Sequence, residues 1–135
     1  MTGVLITFNL ASFAALVYVF YQGFHAGVSV PMKNHIIMAL IATGLCVFSH
    51  AMTMMYFAAI GRMIRQAVEK GSLNPDAVIR TKKYRSIVFR LATLAMLLVM
   101  AQTILGGGAH TKVFPAWVHE IQGIVTLLVS AFAVY

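Results

Sequence analysis

The sequence predicts an all-α membrane protein, a four-transmembrane-helix up-down bundle whose second and third helices extend into a cytoplasmic hairpin. Three observations carry this expectation. Of 135 residues, 61% are hydrophobic and only 10% are charged, against about a quarter charged in a soluble domain. The apolar residues fall into four runs, about 4–24, 36–61, 87–105 and 115–135, each close to the ~20 residues that cross a bilayer as a helix. Eight of the ten Lys and Arg residues stand in one connection between two of those runs.

Hydrocarbon has no partner for a backbone N–H or C=O, so runs of this length are expected as helices. They do not alternate as the strands of a membrane barrel do. At this length the four spans form a single domain, 1–135.

The first run lacks a basic n-region and a small-residue exit, so it is read as a retained span rather than a cleaved signal. The second passes into Arg62 and Arg65 and continues as helix to Lys70, where Gly71 fits the C′ position. Asn74-Pro75 reads as N-cap and N1 of the third helix, which carries Arg90 into the third run. Gly106-Gly107-Gly108 marks that helix's end, and Pro115 suits N1 of the fourth. Phe114, Trp117 and Tyr21 fall where aromatic side chains sit at a lipid–water boundary.

Orientation follows from the cations. Arg62, Arg65, Lys70, Arg80, Lys82, Lys83, Arg85 and Arg90 place connection 62–90 in the cytoplasm, with both termini. Connections 25–35 and 106–114 then face the other side. This bias, with no targeting segment, points to a bacterial inner (cell) membrane. The net charge of +7 therefore reflects topology, and nucleic acid is excluded as a partner. The basic hairpin reads as a solvated stalk or as a docking surface for anionic lipid or another subunit. A lone Cys46 excludes an intrachain disulfide and reads as a small packing residue.

Ionisable groups are costly in a membrane, so the five histidines are the first candidates for chemistry. His50 lies deep in the second run and shares a helical face with Thr43, Cys46, Val47, Thr53, Met54 and Phe57. That small, weakly polar surface suits a helix interface or a porphyrin slot. His119 heads a stripe of Gln122, Gly123, Thr126 and Ser130 that must point into the bundle. Tyr18, Tyr21 and His25 share a face of the first helix and approach His119 from the same side. By depth, His25 or His35 pairs with His119 better than His50 does, since His50 lies several ångströms deeper (~8–10 Å at ~1.5 Å per residue). Structural hydrogen bonding to neighbouring helices is the plainer alternative for both His50 and His119.

Met96 and Met100 pass near the depth of His50, and His/Met ligation of haem is known. Nine methionines also suit Cu(I), though methionine is a common apolar filler; copper is the lesser cofactor candidate. Arg90 either snorkels to the boundary or, with Arg62 or Arg65, neutralises haem propionates. The sequence contains no CxxCH, phosphate loop, HExxH or G-x-S-x-G motif, and its three carboxylates, Glu69, Asp76 and Glu120, leave little for paired-carboxylate catalysis.

In topology and histidine placement the chain is similar in a general way to small four-helix membrane b-type cytochromes, a likeness that transfers no motif. It implies haem b held by bundle histidines. From the residues themselves, His50 and His119 are the expected iron ligands, serving separate sites or paired with the outer-side histidines or a methionine, and His25 and Arg90 are further cofactor contacts. The expected function is electron transfer, as the membrane anchor of a larger redox complex and not as an enzyme alone, with other membrane subunits or further copies as partners. A cofactor-free structural subunit is the alternative. A proton or solute path along His119, Glu120, Gln122 and Tyr21 is weaker, because a buried acidic chain is missing.

Overall fold

The computed structural model describes residues 2–134, and among these the chain is helical nearly throughout. The helices are α1 (Thr2–Gly23), α2 (Met32–Glu69), α3 (Asp76–His110) and α4 (Ala116–Val134). All four are long and apolar enough to cross a membrane. The expected fourth span ends at Tyr135, which lies outside the described residues.

The connection between α2 and α3 follows the expected punctuation. Gly71 has φ +72°, Ser72 N–H donates to the Ala67 carbonyl at 2.9 Å, and Gly71 N–H donates to that of Val68 at 2.9 Å. That is the Schellman arrangement, which needs a left-handed residue after the helix. Asn74 Oδ1 accepts the Asp76 N–H at 2.9 Å, and Pro75 already has helical φ and ψ of −50° and −32°. Asn74 is thus the cap and Pro75 the first helical residue.

One expected boundary moved. The three glycines do not end α3, which runs on to His110. A glycine costs a helix only about 1 kcal/mol, and in hydrocarbon an opened turn leaves carbonyls without partners. The stop comes at Lys112, whose φ is +60°, with Val113 N–H donating to the Gly108 carbonyl at 2.8 Å. α4 starts beside Pro115 as expected, the proline carbonyl accepting the Val118 N–H at 3.1 Å as that of Pro75 accepts the Val78 N–H at 3.0 Å.

The helices form a four-helix bundle in which each packs on its chain neighbours and α4 closes against α1. The diagonal pairs, α1 with α3 and α2 with α4, bring no Cα atoms within 8 Å of each other among the described residues; only side chains such as Leu16 and Val99 meet in the middle. Polar side chains tie the seams. Asn9 Nδ2 donates to Thr53 Oγ1 at 2.9 Å, and the Ser12 and Ser49 hydroxyls meet at 3.2 Å, joining α1 to α2. Thr43 and Thr103 hydroxyls meet at 2.9 Å between α2 and α3. The buried interior is small or polar, with Ala42, Cys46, Ala92 and Ala95 beside Ser12, Ser49 and Ser130. Ile6, Leu40, Phe48, Leu97, Ile104 and Phe132 face outward. Small residues that let helices approach, with apolar bulk outside, are the packing of a protein in lipid.

Because Gly71 holds a left-handed backbone, Gly71→Ala is expected to destabilise the chain by about 1–2 kcal/mol. Unfolding titrations in detergent with a chaotropic surfactant check this.

Candidate functional site

The end of the bundle away from the α2–α3 connection is not closed. A cavity of about 390 Å³ lies there, within the ~300–1,000 Å³ range of small-molecule sites. All four helices contribute to its wall: Leu16, Val19, Phe20 and Gly23 from α1, His35 and Thr43 from α2, Gln102, Thr103, Gly106 and Gly107 from α3, and His119, Gly123 and Thr126 from α4. His110, Ala116 and Glu120, all exposed, also line it and stand at its rim.

Two imidazoles enter from the diagonal helices. His35 is in the first turn of α2, where the Pro31 carbonyl accepts its backbone N–H at 3.3 Å. Its Nδ1 is buried without a hydrogen-bond partner. His119 is in the first turn of α4. Gln102 on α3 holds it, its amide nitrogen donating to the His119 carbonyl oxygen at 3.0 Å and lying against the ring, 3.1 Å from Nδ1 and 3.4 Å from Nε2.

Glycines make the room. A methyl group at Gly106 would stand 2.9 Å from His119 Cε1, and one at Gly123 would stand 2.7 Å from the Phe20 ring. One at Gly23 would stand 3.5 Å from His35 Cε1. These contacts also set the heights. Gly23 abuts His35, while Phe20, one turn away on α1, abuts Gly123, one turn along α4 from His119. His35 and His119 therefore lie within about one helical turn of each other in depth, ~5 Å.

No protein-family model, curated protein or solved structure matches the chain. The site therefore stands on its own geometry.

His50 does not line the cavity. It is 2% exposed, and its Nε2 has no partner. Its neighbour Ser49 meets Ser12, about 16 Å along α1 from Gly23 at ~1.5 Å per residue. One iron cannot reach both His50 and His119 across that distance, and the depth mismatch read from the sequence is larger than expected. His25 follows α1, stacks on Tyr21 at 4.7 Å between ring centroids, and is also outside the cavity lining. Its backbone carbonyl accepts the N–H groups of Val28, Ser29 and Val30, so its visible work is closing the loop. Arg90 reaches back one turn, its Nη2 donating to Ser86 Oγ at 3.0 Å and its Nε to the Ser86 carbonyl at 3.2 Å. That posture is snorkelling toward the hairpin end, away from the cavity.

Sequence reasoning named His35 only as a depth match and missed Gln102 altogether. A glutamine in an apolar run, costly unless bonded, was the signal available for the latter.

The cavity's glycines are not equivalent. Gly106→Ala is expected to cost about 1–3 kcal/mol by overpacking against His119. Gly107→Ala meets nothing within 4 Å and should gain up to about 1 kcal/mol in helix propensity. Thermal unfolding of the two variants in detergent separates them.

Proposed function

We propose that this chain is a small multi-pass membrane protein of the b-type haem class, acting in electron transfer as the membrane anchor of a larger redox complex. The carrying observation is the pair of imidazoles, His35 on α2 and His119 on α4, lining one mostly apolar cavity.

The residues present fit the group. Haem iron already has four ring nitrogens and asks the protein for one or two more. A set of three metal-ligating side chains, which is missing among the described residues, is therefore not required. The unpartnered Nδ1 of His35 and the space left by Gly106 and Gly123 would suit a flat, mostly apolar group held by histidine. In this reading His35 replaces His50 beside His119. A bound haem supplies a one-electron couple, and the chain supplies ligands, orientation and a low dielectric. Leu16, Val19 and Phe20 keep water from the slot, and exposed His110 at the rim suits a propionate.

The same reading keeps the up-down topology, with connection 62–90 and both termini in the cytoplasm of a bacterial cell and the cavity toward the opposite face. His50 then serves the packing of the cytoplasmic half.

A reduced-minus-oxidised visible spectrum of the detergent-purified protein from haem-replete cells is the test. A sharp α band is expected, lost or reduced to five-coordinate character in His119→Ala and His35→Ala and retained in His50→Ala. A folded but colourless preparation would establish the cofactor-free structural subunit instead. For the topology, a cysteine placed at position 78 in a Cys46→Ala background should react with impermeant reagent only after the cells are opened.

A further inference from the structure

The outer face of α3 carries a shallow groove lined by Phe89, Arg90, Thr93, Leu94 and Leu97. Its depth follows from the helix. Arg90 lies twenty residues before His110, the exposed last residue of α3. At ~1.5 Å per residue that is about 30 Å, the thickness of the hydrocarbon. With His110 at one boundary, Arg90 stands at the other, and the groove descends from it to Leu97 among the acyl chains.

The Arg90 guanidinium is turned toward the headgroups. Its Nε donates to the Ser86 carbonyl at 3.2 Å and its Nη2 to Ser86 Oγ at 3.0 Å. Those bonds use one edge of the planar fork and fix its orientation. The other edge, Nη1 with the second hydrogen of Nη2, is the bidentate edge that suits a phosphate. Arg85 borders the same mouth. Its guanidinium carbon is 5.8 Å from the centroid of the Phe89 ring, and a methyl at Gly61 on α2 would stand 3.2 Å from its Nη1.

Among the described residues, neither guanidinium has a carboxylate partner. The acids of the hairpin are remote: Glu69 stands eight residues beyond Gly61 and Asp76 nine before Arg85, each about 12–14 Å away along its helix. The mouth can therefore neutralise a phosphate but offers nothing to an ammonium. A zwitterionic headgroup would bring its amine against two cations, whereas a net anionic headgroup would not.

We propose that this groove docks one anionic phospholipid from the leaflet on the hairpin side. Its phosphate lies on the free edge of Arg90 beside Arg85, and an acyl chain lies along Phe89, Leu94 and Leu97. The site is separate from the cavity and does not rest on the haem reading.

Electron paramagnetic resonance of the full chain in phosphatidylcholine vesicles tests this, with spin-labelled phosphatidylglycerol or phosphatidylcholine as the probe. Phosphatidylglycerol should be favoured in the motionally restricted population by about two- to five-fold, the range that an exposed ion pair supports. Arg90→Gln should remove most of that preference, and Arg85→Gln/Arg90→Gln nearly all of it. Lys70→Gln/Arg80→Gln, which deletes the same charge farther up the hairpin, should retain it. Equal loss in the two double variants would mean diffuse attraction to the hairpin and overturns the site. A wild-type protein without the preference also overturns it, and leaves the two arginines to an acidic partner subunit.

Discussion

Hydrocarbon offers a polar group nothing to bond with, and the whole architecture depends on that constraint. It makes each apolar run a helix, because only a helix satisfies its own backbone. It also turns the usual distribution of residues inside out. Most leucines, isoleucines and phenylalanines face outward, and the bundle's interior is alanine, serine, threonine and a few larger polar groups around a small cluster of Leu16, Cys46 and Val99. The apolar effect that holds a soluble core together gives little advantage between helices in lipid. Close approach and interhelical hydrogen bonds take its place, each bond worth on average about 0.6 kcal/mol.

Under that constraint the two ends of the bundle are built differently. Toward the α2–α3 connection, Ser12 and Ser49 meet directly and the interior is filled by small side chains. At the other end, glycines on α1, α3 and α4 withhold side chains from the centre, and the diagonal helices α2 and α4 stand apart. The result is a chamber with an imidazole on each of those two helices. Polar groups in it are affordable because neighbouring helices hold them: the Gln102 amide, anchored on α3, donates to the His119 carbonyl and lies against its ring.

Gly106-Gly107-Gly108 shows how one stretch can be misread from sequence and still matter. Glycines near a run's end look like a stop, yet α3 continues through them to His110. Their work is lateral: Gly106 admits the edge of His119 and Gly108 lies beneath the Phe114 ring. Their conformational freedom is not used, and the left-handed position that ends the helix falls to Lys112. Gly71 uses that freedom, at a helix end where local chain signals and fold agree.

Read alone, the sequence determined the helical class, four membrane-long apolar segments, the cap at Asn74-Pro75 and the stop at Gly71. Each is a property of one contiguous stretch, set by hydropathy, φ preference or a side chain bonding its own backbone. It also showed that His50 and His119 differ in depth, since rise per residue is fixed along a helix. Which histidines share a chamber was decided only by the tertiary structure. That outcome depends on which helices lie diagonal, how far α3 runs past its glycines and where missing side chains leave space. The meeting of Gln102 with His119 is of the same kind, a contact between helices that no periodicity within either one encodes.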